Sequence, residues 1–518
     1  MTQFRHLISS LILIAITQLA NGAIDIWVPR PHNTTFVQPG GTFTTEVRAV
    51  SSLNANGWSA ALNNDLFAWP CTVLSAVYST IHHNTEPGWR LIISVPANIP
   101  PELMDINITH TTGGSDLANR SVSVVNDFES DFYILHSSDQ HVTAYTAITA
   151  NGGSHPTYKN GSTQSMGWAA PVINLINPRF VVYTGDNLNI YYDASSWAGI
   201  AEARNRCRMY LTALLSYKIP TLVTTGNHDI GFSDYISVNE WRNAYEEEFG
   251  QRSFSFYMGS FYVLTNEWSS NEFLNWAKND YTAAYANPNV KYRLIAQHYY
   301  DGLGGWTTVA GSANPCNLTL CGHNHKVAAL QTSPYLVYSD GTAQDYQRSG
   351  FYDFRRTPAG WTCMQASSHV SNIDIFRLFG DWGNPGKVRS SFAAVNNGAE
   401  ITNTAVINND LPQDFYNGRV RFLMKKGNYR VIGGEIESQY DYADGTKTAV
   451  LVKVNIRKNT TSTVSITKFV NLSDLPDFVY WWLYGNCGSY NDCEGADLYK
   501  DGTVNFSDFA DFASEWFN

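Results

Sequence analysis

Five short clusters of Asp, Asn and His follow one another between Asp139 and His325, and each closes an apolar run. The clusters are Asp139-Gln140-His141, Gly185-Asp186-Asn187, Gly226-Asn227-His228-Asp229, an isolated His298, and Gly322-His323-Asn324-His325. The runs ahead of them occupy residues 132–135, 180–183, 219–223, 292–296 and 318–321. Short apolar runs bounded by Gly and polar residues read as buried strands. In open α/β sheets, functional groups collect just past the carboxyl ends of such strands. The order therefore predicts Asp, Asn and His side chains gathered at one sheet rim, which is the donor set of a metal site.

Carboxylate and amide oxygens with imidazole nitrogens, and no thiolate, suit divalent transition metals such as Mn, Fe or Zn. Two Asp, four His and one Asn exceed what one tetrahedral zinc takes. They match two ions sharing a bridge. Such a pair clamps the attacking and leaving oxygens of an in-line phosphoryl displacement, and it lowers the pKa of a shared water.

In this order the blocks D-x-H, G-D, G-N-H-D, H and G-H-x-H resemble the calcineurin-like metallophosphoesterase family, over roughly residues 131–325. The resemblance implies an α/β fold, a four-layer αββα sandwich. It implies Asp139, His141 and His325 on a first ion, Asn227, His298 and His323 on a second, and Asp186 bridging both. His228 would bind no metal; it would contact the phosphate and protonate the leaving group, with Asp229 orienting it. Asn187, beside the bridge, would be an outer contact. The implied reaction is attack of a metal-bridged hydroxide on a phosphate mono- or diester, and the motifs do not separate the two. In the purple acid branch a metal-bound Tyr lies three residues after the bridge and the first block lacks its His. Here that position is Asn189, and His141 is present. A colourless or pale protein is expected; an intense visible absorption band from pure protein would contradict it.

The 518 residues are too many for one core and predict three or four domains. A net charge of −11 argues against a general binder of nucleic acid or anionic membrane. Residues 1–22 carry Arg5 and His6, an apolar run over 7–19, then Ala20-Asn21-Gly22. That is the pattern of a signal peptide, too short in its apolar part for a typical span, with an uncleaved anchor as the alternative. A secreted, cell-surface or periplasmic protein with no transmembrane span after signal removal is expected. Residues 23–128 alternate over 41–50 and continue as strands near 89–95, 105–109 and 121–125, suggesting an immunoglobulin-like β-sandwich. His82-His83 reads as a solvated loop pair. Residues 129–372 hold the catalytic region, with helical periodicity over 166–176, 237–249 and 272–286. Tyr300 and Trp306, in the loop after His298, are candidates for an aromatic-lined substrate pocket. Residues 373–462 read as a second β-sandwich, with strands near 420–424, 429–436 and 446–456 and a hairpin turn at Ala443-Asp444-Gly445.

Residues 463–518 hold a repeat. Val470-Asn471-Leu472-Ser473-Asp474-Leu475 returns as Val504-Asn505-Phe506-Ser507-Asp508-Phe509, 34 positions later. Asp497 to Asp508 has the length of an EF-hand-type loop, with Gly502 at its sixth position. The segment resembles a dockerin, a small helical module. That implies one calcium ion on Asp497, Asp501, Thr503, Asn505 and Asp508, and a cohesin-like or cell-surface scaffold partner. Tyr499 departs from the pattern, and the first copy has Thr463, Ser465, Thr467 and Lys468 where acids and Gly belong. Of seven cysteines, Cys487 and Cys493 are the best disulfide candidates, and Cys321, on an expected buried strand, should stay a thiol. Two functions compete: an exported two-metal phosphoesterase, and a non-catalytic scaffold protein whose metal site is structural. The intact His228-Asp229 pair favours the first, because a structural site needs no leaving-group acid.

Overall fold

A computed structural model describes residues 24–144, 161–189, 199–230, 238–267, 273–299, 310, 314–323, 328–331, 336–339, 348–363, 373–374, 380–381, 384–469, 475–490, 493 and 496–515. The expectations for residues 1–22, Tyr300, Trp306 and His325 lie outside them. The chain divides into two compact units, residues 1–174 with 178–384 and residues 175–177 with 385–518.

The first unit begins with a barrel-like sheet of eight strands. Alternation builds it: in Leu103–His110 the side chains of Met104, Ile106, Ile108 and His110 turn inward. Two separate stacked sheets were expected, and one continuous sheet is found. The reason is the strand Ala68–Ile81. It pairs first with Trp58–Asn63 and then with Glu86–Ser94, and an irregularity between Val73 and Ser75 interrupts its register. Such bulges bend a strand and raise its twist, so one strand serves both halves. The curl brings the first strand, Asp25–Val28, to the far end of the sheet, where Ile26 N–H donates to Asp116 Oδ2 at 2.7 Å.

His82-His83 is not a solvated pair. His82 is buried, and His83 Nε2 lies 2.7 Å from the Ser253 carbonyl with its ring 3.7 Å from that of Trp276. Packing against a segment 170 residues away covers this turn.

The region that holds the polar clusters is mixed α/β. All five strands expected ahead of the polar clusters form: Phe132–Ser137, Val181–Thr184, Thr221–Thr224, Tyr292–Ala296 and Leu318–Cys321. They belong to two six-stranded sheets. In one, Thr221–Thr224, Val181–Thr184 and Phe132–Ser137 run parallel. In the other, Phe261–Thr265, Tyr292–Ala296 and Leu318–Cys321 do. Phe132, Ile134, Val182 and Leu222 from the first share a core with Val263, Leu294, Leu318 and Leu320 from the second. The sheets therefore pack face to face. Leu274–Ala286 covers the outer side of the second sheet, placing Ala277 and Tyr281 against Leu264 and Ile295.

Helices Thr163–Ile176, Val238–Phe249 and Leu274–Ala286 match the expected periodicity. Gly199–Leu214 is a further helix. Its buried stripe of Ala203, Cys207, Tyr210 and Leu214 has helical spacing, but Arg and Asn between these residues hide it.

In the second unit, Val388–Phe392, Thr402–Asn409, Thr460–Phe469 and Asn428–Ile432 make a four-stranded sheet. Phe415–Lys425, Lys447–Ile456 and Glu435–Asp441 make a three-stranded one. The Asp444 turn forms as expected, with Asp444 Oδ1 accepting from Thr446 N–H at 2.9 Å. The strand expected over 429–436 is split at Gly433, whose φ of +87° reverses the chain at little cost only for Gly. Thr460–Phe469 pairs with Thr402–Asn409 over residues 460–467 and with Asn428–Ile432 over 465–469, so Thr463, Ser465, Thr467 and Lys468 lie on a strand and the sheet extends past residue 462. Beyond it, helices Leu475–Tyr480 and Phe506–Glu515 share a core of Phe478, Val504 and Phe512. Cys487 and Cys493 form a disulfide there, while Cys71, Cys207, Cys316, Cys321 and Cys363 remain thiols. Among the described residues no helix is long and apolar enough to cross a membrane.

Candidate metal centre

The polar clusters leave the strand ends in tight turns. Asp139, His141, Asp186 and His323 have φ of 54°, 48°, 51° and 67°, the left-handed region that non-Gly residues seldom occupy. Each such residue costs on the order of 1–3 kcal/mol, and such strain clusters at functional sites. Backbone bonds impose it here: Asp139 N–H donates to the Gly185 carbonyl at 2.9 Å and His141 N–H to that of Asp186 at 2.8 Å.

Side chains from both sheets converge on Asp186. Its Oδ1 accepts from His228 N–H at 2.8 Å. Its Oδ2 faces three imidazoles, with Nε2 of His298 at 3.2 Å, of His228 at 3.8 Å and of His141 at 3.9 Å. Asp139 Oδ1 lies 4.0 Å from His141 Nε2. On the other side, Asp186, His298 and His323 bring donor atoms within 4.8 Å of one another, and Asn227 Oδ1 lies 3.1 Å from His298 Nε2. His323 N–H donates to Asp139 Oδ2 at 3.1 Å and ties the halves together. His298 Nδ1 lies 2.7 Å from the Thr184 carbonyl. A carbonyl only accepts, so Nδ1 carries a proton and Nε2 is the nitrogen that faces Asp186.

Electrostatics agree with this geometry. Burial works to raise the Asp186 carboxyl, but His298, His228 and His141 outweigh it and hold it far below the usual carboxylate range. Burial works to lower His298, but Asp186 and Asp139 outweigh it and push it up to about 9. The cluster draws positive charge to one point. Oxygen and imidazole donors without thiolate fit divalent transition metals there.

Glycine makes room for Asp186. A methyl at Gly226 would collide with the Asp186 carboxylate and its backbone nitrogen. Gly226→Ala is expected to displace Asp186 and to weaken metal binding at least tenfold, by analogy with lost supporting contacts. Equilibrium dialysis against Mn(II) checks this, and unchanged affinity would contradict it.

One role needs correction. Asp229 does not hold the His228 ring: His228 Nδ1 lies 2.9 Å from Asn189 Oδ1. Asp229 instead accepts from Leu188 N–H at 2.7 Å, Gly226 N–H at 2.8 Å and Asn187 Nδ2 at 3.2 Å. It fastens two cluster turns to each other. Burial and the neighbouring Asp186 push its carboxyl upward, and the amide donors oppose them. Asn187 also donates to the Thr224 carbonyl at 2.8 Å, which fits an outer contact. Asn189 is in turn clamped through its carbonyl by Arg206 Nη1 at 2.6 Å. Asn189, Arg206 and Tyr299 were not read from the sequence as parts of the centre. Asn189 has a signal, because it is a second Asn two residues past Asn187 in the same cluster turn; Arg206, on a separate helix, has none.

In the tail, carboxylates of Asp497, Asp501 and Asp508 lie within 4.8 Å of one another. Asp497 accepts from the N–H groups of Asp501 and Gly502, and Asp508 from those of Tyr499 and Asn505. Asn505 Nδ2 donates to Asp501 Oδ2 at 3.1 Å and to the Thr503 carbonyl at 3.2 Å.

No family model and no curated protein matches the chain. Among solved structures, a dimetal phosphatase from Danio rerio aligns with 46% of this chain and 99% of its own, at 11% identity and a TM-score of 0.32. The sulfate thiohydrolase SoxB of Thermus thermophilus aligns with 45% of this chain but only 55% of its own, at 12% identity and a TM-score of 0.27. An archaeal phosphodiesterase aligns with 45% of this chain and 98% of its own, at 14% identity and a TM-score of 0.19. The functional reading rests on the geometry of the centre, not on these likenesses.

Proposed function

We propose that the chain is a secreted phosphoesterase that uses two divalent transition-metal ions (Mn, Fe or Zn) to hydrolyse a phosphate mono- or diester. The observation that carries this reading is the Asp186 carboxylate, buried and faced by imidazoles from both sheets. Asp139 and His141, with His325, would hold one ion; Asn227, His298 and His323 would hold the other; Asp186 would serve both. Bound ions supply Lewis-acid stabilisation of the charge that grows on phosphoryl oxygens. The protein's own part is orientation and proton transfer. With its Nδ1 proton donated to Asn189, His228 turns Nε2 toward the centre. Protonated there, it gives that proton to the leaving oxygen and stays the Nδ1–H tautomer, with its Asn189 bond unbroken. Turnover of an aryl monophosphate and of its bis-aryl diester by metal-loaded protein tests the reading and separates the two ester classes. No turnover of either would sink it.

The proposal extends to the ends of the chain. Residues 1–22 would direct export. The tail carboxylates would take one calcium, and the tail would engage a cohesin-like or surface partner. Calorimetric titration of the full chain, already loaded with transition metal, checks the calcium; no heat at millimolar calcium rejects it.

A further inference from the structure

The half-buried residues of the described centre mark one side of it. Asp139, His141, Asp186 and His298 are fully enclosed, whereas Asn227, His323 and Tyr299 are half-buried. Among the described residues, the centre is thus least enclosed at its second subsite, where Tyr299 lies. The Tyr299 ring lies 3.9 Å from the His323 ring at 35°, and it meets the His298 ring edge-on at 5.2 Å. Its hydroxyl donates to Asn227 Oδ1 at 3.2 Å. One side chain touches all three donors that the second ion would have to itself. Its backbone is also fixed, because buried Gln297 donates Nε2–H to the Tyr299 carbonyl at 2.6 Å.

We propose that Tyr299 is a positioning residue for the second cation, holding the Asn227 carboxamide and the His323 imidazole in register. An Asn side chain offers a cation either an oxygen or a useless NH2 group. The phenol bond occupies one lone pair of Oδ1 and leaves the other toward His298. The ring contact limits rotation of His323, which stands on a left-handed turn at the centre's less enclosed side. Among the described residues, the first-subsite donors Asp139 and His141 get no such support from Tyr299. Loss of the hydroxyl should therefore affect one ion and not the other.

The proposal rests on the two-cation reading, and the test separates the two. Wild-type protein, Tyr299→Phe and Tyr299→Ala, stripped of metal, are titrated with Mn(II) by calorimetry and by electron paramagnetic resonance. Wild type is expected to bind two ions. Tyr299→Phe should hold the first as tightly as wild type and the second about 10-fold or more weakly, the usual loss for an outer partner. Tyr299→Ala should weaken the second further, and the metal-free melting temperature of Tyr299→Phe should not move. Equal affinities in wild type and Tyr299→Phe, or equal weakening of both ions, would overturn the assignment. If Tyr299→Phe with ferric iron loses an intense visible band that wild type shows, Tyr299 is itself a ligand and the positioning role is wrong. Wild type binding at most one ion would remove the two-cation reading, and this assignment with it.

Discussion

Asp186→Asn is expected to leave a folded protein that holds at most one transition-metal ion and turns over phosphate esters about a thousandfold more slowly, or worse. The substitution is nearly isosteric and keeps an oxygen to accept from His228 N–H, a bond now 2.8 Å long. What it removes is the negative charge that His298, His228 and His141 share. Without it, two cations would sit close together with no common anion between them. Lewis-acid stabilisation is worth several kcal/mol, and each 1.4 kcal/mol is about tenfold in rate. Elemental analysis and initial rates on one preparation decide the matter. Wild-type metal content in the variant would show that Asp186 is not the bridge.

His228→Ala should separate chemistry from metal binding. We expect kcat to fall about 10²- to 10⁴-fold, the usual span for a positioned acid, with metal content unchanged. In the proposed reaction His228 offers Nε2 as the acid, with Nδ1 committed to Asn189; Nε2 also lies near Asp186 and His141, so metal content is measured alongside the rate. The deficit should also depend on the ester. A nitrophenyl leaving group departs without a proton and should lose little, whereas an alkyl ester should bear the full penalty. Equal losses on both would remove the acid role, and loss of one ion would recast His228 as a ligand.

Much of this centre is legible because buried parallel strands write themselves as short apolar runs, and the polar residues after each run must lie at a strand end. The order of the clusters thus located Asp139, His141, Asp186, Asn227, His298 and His323, which the fold brings together from two sheets. The partner of the His228 ring was not legible. Asp229 is its neighbour in sequence, but left-handed turns at Asp139, His141 and Asp186 re-aim the loops, and Asn189 reaches Nδ1 instead. Long-range cover was equally hidden: His82-His83 looks solvated until Ser253 and Trp276 pack on it. In Thr460–Phe469, similarity to the later repeat suggested a loop. The alternation of buried Val464 and Ile466 was the stronger local signal, because it matches the period of a strand between two partners.

The most direct test counts ions. Metal-free wild-type protein is reconstituted with manganese, zinc or iron, cleared of loosely held metal, and measured by elemental analysis alongside its folded concentration. Two transition-metal ions per chain, falling to one or none in Asp186→Asn, is the predicted result. A folded wild-type chain that retains no more than one contradicts the account.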